Sequence, residues 1–230
     1  MTKRLHKSLI KIEDEPLILR ICDQLKQAGL KDILVISGYQ NRNIEKVVRA
    51  KARVVFNPFY RVSGILGSFW EARHYLFGKP FLFTTADHFF HPSVLTGCLG
   101  GKSDIRILVQ RKKTYTKEDA KVIIANSKVV RMSKDILAKE ASGEFGGMVF
   151  LSARASKLFF LELTRHLEAG NIHGYMMDVL MQVSEKYHLP VEYHACGPAM
   201  RIEIDSIHDL IQARRMARKF RWKRKNELQV

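Results

Sequence analysis

At 230 residues the chain is long enough to bury a three-layer core as one domain. Hydrophobic residues at 46% and charged residues at 27% are the mix of a folded globular protein and exclude an intrinsically disordered one. The formal net charge of +16 points to an anionic partner (nucleotide, nucleic acid or phospholipid headgroup), while three widely spaced cysteines, Cys22, Cys98 and Cys196, exclude a disulfide framework and a thiolate zinc site.

Strand-like and helix-like runs alternate, which predicts an α/β fold with a largely parallel sheet. Residues 16–28 read as a helix: Leu17, Ile18, Ile21, Leu25 and Ala28 share one face, Pro16 sits in the first turn and Gly29 stops it. A buried strand over 33–37, a turn at Gly38-Tyr39, a helix over 41–50, a strand over 54–57 and a helix over 68–77 follow. Residues 81–85 form an apolar run ending in Thr85-Ala86-Asp87-His88, the pattern of a central strand whose carboxyl end carries chemistry. Strands are then expected over 105–110, 121–125, 129–132 and 146–151, with Asn126-Ser127 as a hairpin turn. Helices over 153–169 and 175–186 and strands over 191–194 and 201–205 complete the series. Ser206 and Asp209, in a Ser-x-x-Asp pattern, cap a last helix running toward Lys219.

Residues 1–219 therefore read as one domain and 220–230 as a basic tail, the end of a cationic run that starts at Arg214. The plainer reading of that run is a solvated helix end; the sharper one is a peripheral contact with an anionic membrane, anchored by Phe220 and Trp222. Apolar stretches such as 80–86 fall far short of the roughly 20 residues that span a bilayer, and the start lacks a secretory apolar region, so a cytoplasmic location is expected.

Asp87 directly follows an apolar strand, and Glu203 and Asp205 alternate along another, so these two share a face. Three carboxylates converging in this way suit a hard cation such as Mg²⁺; singly, each reads more simply as a strand-end residue that caps a helix or meets a lysine. His88 and His91 suggest zinc, but no third ligand stands at a recognisable spacing. Gly101-Lys102-Ser103 ends like a phosphate-binding loop, yet Thr96 occupies the place of its first glycine. The Gly-x-Ser-x-Gly elbow and the His-Glu-x-x-His pair are missing, which removes several hydrolase readings. A nucleic-acid partner is not expected, because charge alone argues for it and an acidic triad has no place in it.

Taken in order, several segments resemble the sugar-phosphate nucleotidyltransferase family. They are Lys7-Ser8-Leu9-Ile10-Lys11-Ile12 with Glu15-Pro16-Leu17-Ile18, Val35-Ile36-Ser37-Gly38-Tyr39, Asn57-Pro58 with Gly67-Ser68, Thr85-Ala86-Asp87-His88, and Glu203-Ile204-Asp205-Ser206 with Asp209-Leu210. The resemblance spans nearly the whole chain and implies a three-layer α/β/α, Rossmann-like fold of the glycosyltransferase-A type. Asp119-Ala120-Lys121-Val122 and Gly143-Glu144-Phe145-Gly146-Gly147 look most like the branch of cytidylyltransferases for small phosphorylated alcohols, of inositol-1-phosphate or phosphocholine type. A sugar-1-phosphate uridylyl- or thymidylyltransferase is the alternative within the family.

The resemblance implies CTP or another NTP and a phosphorylated small alcohol as substrates, with Mg²⁺ as cofactor. Carried over residue by residue, it makes Lys7, Asp87 and Asp205 catalytic and Asp87, Glu203 and Asp205 metal ligands. Arg4, Lys7, Gly38, Asn57 and Ser68 fall to the nucleotide, and Lys121 and Glu144 to the acceptor. Turn and cap chemistry accounts for Gly38, Asn57 and Ser68 equally well. Trp70, Tyr60 and Phe90 offer the aromatics that a quaternary ammonium calls for, or are core. The family's pattern opens with a buried strand and a glycine-rich loop, Leu-Ala-Ala-Gly-x-Gly-x-Arg, where this sequence reads Met1-Thr2-Lys3-Arg4-Leu5. The expectation is that the first strand and this loop are missing, which leaves two strands without a partner at mid-sheet. That departure carries the rival function class, a noncatalytic nucleotide-binding module.

Overall fold

The structure, a computed structural model, describes residues 6–227, with side chains through Lys219. Arg4 and the side chains of the 220–230 tail therefore lie outside the described residues. A 3-10 turn at Lys7–Leu9 leads into a short hairpin, β1 (Lys11–Ile12) with β2 (Glu15–Pro16). Helix α1 (Leu17–Gln27) follows and buries Leu17, Ile18, Ile21, Cys22 and Leu25, the face its apolar spacing predicts. Next come β3 (Leu34–Ser37), α2 (Asn41–Val48), β4 (Arg53–Phe56), α3 (Gly64–Leu76), β5 (Phe81–Thr84), β6 (His88–Phe90) and α4 (Pro92–Leu99). The second half holds β7 (Ile105–Gln110), β8 (Lys121–Ala125), β9 (Lys128–Ser133), β10 (Gly143–Leu151), α5 (Ala153–Glu168), α6 (Met176–Tyr187), β11 (Val191–Cys196), β12 (Arg201–Glu203) and α7 (Ile207–Glu227).

Six strands form one mixed sheet in the order β5-β10-β7-β11-β9-β8, and β10 also pairs with β8. Strands β7 and β11 are parallel, whereas β10 runs antiparallel to β5, β7 and β8. The expectation of a largely parallel sheet is corrected here: β10 inserts between β5 and β7, so strands that point the same way are separated by one that does not. A parallel pair, β3 with β4, and an antiparallel ribbon, β6 with β12, stand beside this sheet. Among the described residues β3 pairs only with β4 and β5 only with β10.

The period-two pattern of β7 divides the core. Ile105, Ile107 and Val109 face a cluster filled by α3, α5 and α6, through residues such as Phe69, Phe159 and Leu180. Leu108 faces the opposite cluster, built with Ile21 of α1, Leu95 of α4 and Ala213 of α7. Helices thus cover both faces of the sheet, as a three-layer α/β/α fold requires. Each fully buried Leu, Ile or Phe side chain contributes about 1.5–3 kcal/mol of transfer free energy to this arrangement.

The β1–β2 hairpin, β6 and α4 escape the sequence reading, and α3 starts earlier than it expects. Helix α4 starts at Pro92 with His91 as its cap, the His91 ring accepting the Ser93 amide at 3.2 Å. Helix α3 begins at Gly64 and not near Ser68, because Leu66 and Phe69 share a buried face that outweighs the two glycines, Gly64 and Gly67. Phe90 is 1% exposed in the second core cluster, so it is core and no part of an aromatic cage. No helix among the described residues is long and apolar enough to cross a membrane.

Candidate active site

Strand β5 delivers Asp87 and His88 to one edge of the sheet, and the β6–β12 ribbon brings Glu203 to the same place, with Glu203 opposite His88 in register. The Ile204 amide donates to the Asp87 carbonyl at 3.0 Å, which ties the end of β12 to the turn after β5. One ligand atom each from Asp87, His88 and Glu203 lie within 4.8 Å of one another. Glu203 Oε2 is 3.3 Å from His88 Nε2 and 3.2 Å from Arg201 Nη2, and Asp87 Oδ1 is 3.7 Å from the same His88 nitrogen. The hydrogen bond from His88, helped by the positive charges of Arg201 and Lys7, holds the Glu203 carboxyl down at about 2 despite its partial burial.

His88 owes its place to a bulge. Strand β10 shifts register between Phe145 and Val149, and Gly147 there adopts a φ of +69°. A methyl group on Gly147 would overlap the His88 ring, so only glycine gives both the backbone conformation and the space. The Gly147 carbonyl accepts the Thr85 amide at 3.1 Å, and Thr85 Oγ1 lies 2.8 Å from His88 Nδ1. Asp87 Oδ1, by contrast, is buried with no hydrogen-bond partner among the described residues. A buried acceptor left open beside two further ligating groups fits a cation.

The third acid of the sequence reading, Asp205, stands just outside this set and forms an ion pair with Lys7, both half-exposed. That hydrogen bond raises the Lys7 ammonium above its ordinary value, with Asp87 and Glu203 adding to the effect, so it stays cationic. Asp205 is also the approach to α7, where Asp209 accepts the Ser206 amide at 2.8 Å and the Asp205 amide at 3.2 Å, the cap that the Ser-x-x-Asp pattern predicts. His6 links this segment to the loop after β3, its amide donating to Gln40 Oε1 at 3.2 Å.

The loops after β3 and β4 and the start of α3 hold the residues that the resemblance gives to the nucleotide. Gly38 backs closely onto Tyr60. Asn57 is 1% exposed; its Nδ2 donates to Ser63 Oγ at 3.1 Å and Ser68 Oγ at 3.3 Å, and its Oδ1 accepts the Phe59 amide at 2.9 Å. Asn57 and Ser68 are thus brought together, with their side chains bracing the 57–63 loop. Around them Tyr39, Phe56 and Phe59 stay exposed.

On the other side of the carboxylates, Lys121 and Glu144 are cross-strand partners on β8 and β10. Lys121 is almost fully buried and donates to the carbonyls of Thr116 and Asp119, each at 3.0 Å, so its charge serves the 116–119 loop. The cation nearest Glu144 is Lys112, which the sequence reading does not name: Nζ lies 2.7 Å from Glu144 and 2.9 Å from Asp119. Burial pulls Lys112 down, but bonds to these two carboxylates outweigh it and raise it overall. Buried Arg201 connects the two sides, 3.8 Å from Glu144 and 3.2 Å from Glu203. Lys112 and Arg201 join the site without a sequence signal of their own, whereas His88 stands in the Thr85-Ala86-Asp87-His88 segment.

The chemistry of this edge is that of charge neutralisation: acceptor-only oxygens for a cation, flanked by fixed positive charge for phosphate groups. In solved structures the chain is similar to the inositol-1-phosphate CTP transferase from T. maritima, with 18% identity, a TM-score of 0.72, and 94% of this chain and 89% of that chain covered. It is also similar to the CTP:phosphocholine cytidylyltransferase from Streptococcus pneumoniae, with 19% identity, a TM-score of 0.74 and coverage of 94% and 91%. A putative glucose-1-phosphate thymidylyltransferase from Bacillus anthracis, in complex with a sucrose, gives 15% identity, a TM-score of 0.75 and coverage of 94% and 88%. No curated protein matches the chain. The family model for the MobA-like NTP transferase domain matches residues 1–157, and the chain belongs to that nucleotidyltransferase family.

Proposed function

We propose that this nucleotidyltransferase moves CMP from CTP to a small phosphorylated alcohol and releases pyrophosphate. The observation that carries this reading is the convergence of Asp87, His88 and Glu203 at one strand edge, with Asp87 Oδ1 buried and unbonded. The base and the acceptor class are supported by two structural neighbours, an inositol-1-phosphate CTP transferase and a CTP:phosphocholine cytidylyltransferase. Asp87, Glu203 and Asp205 are the acids that would hold Mg²⁺, Asp205 after giving up its bond to Lys7. The bound ion supplies charge neutralisation at the nucleotide and acceptor phosphates.

The chain's own residues do the rest. Lys7, cationic and half-exposed, neutralises nucleotide phosphate in exchange for its bond to Asp205. The Gly38 loop and the Asn57–Ser68 corner shape the nucleotide side, while Glu144 and Lys112 line the acceptor side. An oxygen of the acceptor phosphate attacks the α-phosphorus of CTP in line as the bond to the β-phosphate oxygen breaks. Proximity and fixed charge account for the acceleration, and no covalent enzyme intermediate is needed.

Pyrophosphate release with CTP, UTP and dTTP against a panel of phosphorylated alcohols and sugar 1-phosphates tests the proposal. Turnover with CTP and one alcohol phosphate supports it. Preference for UTP or dTTP with a sugar phosphate favours the second reading, which the thymidylyltransferase neighbour supports. Nucleotide binding without release with every pair identifies a noncatalytic module. The basic run on α7, helical through Glu227, is proposed as a peripheral contact with anionic membrane. Flotation with anionic vesicles checks it, and equal binding by a chain ending at residue 217 contradicts it.

A further inference from the structure

Arg201 is 4% exposed, and every nitrogen of its guanidinium has a partner. Nη1 donates to Gln110 Oε1 at 2.6 Å; Nη2 lies 2.9 Å from His88 Nε2 and 3.2 Å from Glu203 Oε2; Nε donates to His88 Nδ1 at 3.4 Å. Gln110 returns the contact by donating from Nε2 to the Arg201 carbonyl at 2.9 Å. One rigid fork therefore spans both nitrogens of the His88 ring, grips one oxygen of Glu203 and is itself pinned to the end of β7. Both close contacts of Glu203, from Arg201 and from His88, run through Oε2, so the carboxylate is oriented by one oxygen.

We infer that Arg201 is the positioning residue of this site, fixing the Glu203 carboxylate and the His88 ring so that Glu203 and Asp87 face a common divalent cation. The inference rests on the reading under Proposed function. Arginine is required for its shape: a lysine keeps the charge but reaches one partner in place of three and loses the bond to Gln110. A freed Glu203 keeps only its His88 contact and must be ordered each time a cation binds, which weakens cation binding with no change in the ligands themselves.

The test is Mn²⁺ titration of the full chain in the presence of CTP, read by water-proton relaxation enhancement, on the unmutated protein and on Arg201→Lys, Arg106→Lys and Asp87→Asn. Arg106 is an equally buried arginine paired to Glu192, away from the acidic cluster, and controls for general loss of packing. Arg201→Lys is expected to raise half-saturating Mn²⁺ by about 10-fold or more, while Arg106→Lys lowers the melting temperature and leaves Mn²⁺ binding unmoved. Mn²⁺ binding by Arg201→Lys equal to the unmutated chain overturns the positioning role. If Arg201→Lys does not fold, Gln110→Met carries the test: a smaller rise in the same direction supports the role and none overturns it. An unmutated chain that binds Mn²⁺ no better than Asp87→Asn removes the metal reading itself, and the positioning role with it.

Discussion

Strand β7 carries a polar anchor at each end of one face, Arg106 near its start and Gln110 at its close, and the two ends handle a glutamate differently. At the start, Glu192 is closed: Arg106 takes Oε2 and Lys128 takes Oε1, each at 2.8 Å. At the close, Gln110 holds Arg201, which with His88 takes only Oε2 of Glu203, next to the unbonded Oδ1 of Asp87. Both carboxyls sit at about 2, for different reasons. Hydrogen bonds from Lys128 and then Arg106 hold Glu192 down, whereas the His88 bond leads for Glu203. A similar acidity thus accompanies a saturated structural pair in one place and an open arrangement in the other. The geometry around the oxygens, more than the acidity, marks the site.

The sharpest way to break the comparison is to neutralise each glutamate. Glu203→Gln is expected to cut pyrophosphate release by about 100-fold or more, while Glu192→Gln leaves it unchanged; equal losses would erase the distinction. Gly147→Ala comes next, because it places a methyl group against the His88 ring at a positive φ. A loss of about 2 kcal/mol is expected in urea unfolding, and adding His88→Ala should return part of it. Glu192→Ala leaves Arg106 buried and short of a partner, for about 1–2 kcal/mol in the same assay, the lower range reflecting partial exposure of Glu192.

The smallest effect is in the acid limb. A carboxyl lowered from 4.5 to about 2 in the folded state adds stability that is complete above the ordinary value and lost as pH falls toward 2. Thermal melts from pH 6 to 2 should therefore fall less steeply below about 4.5 in Glu192→Gln than in the unmutated chain. Identical slopes would contradict the closed pair.

Local periodicity made much of the fold legible. The face of α1, the strand Ile105–Gln110, the strand Lys121–Ala125 and the Ser206–Asp209 cap are all patterns within a few residues, where side-chain spacing and cap chemistry act directly. The sheet's mixed order was not legible, since the insertion of β10 beside β5 is a pairing between segments far apart in the chain. At the site, the acids, Lys7 and His88 were visible in the sequence, but Arg201 and Lys112 were not. Arg201 looked like one more cation in a basic chain, and nothing in its neighbours tells that it is buried against His88, 113 residues away. Lys121 and Lys112 show the same limit: of two identical side chains, one on β8 turns inward onto backbone carbonyls and the other, in the loop after β7, reaches Glu144.

On the proposed function, the open end of β7 and β5 is the catalytic one. Divalent-dependent pyrophosphate release from CTP, with the alcohol phosphate that the panel identifies, should be followed in Asp87→Asn and Glu192→Gln side by side at matched folded fraction. Release lost in Asp87→Asn and retained in Glu192→Gln is the result expected. Full activity in Asp87→Asn would place the chemistry elsewhere.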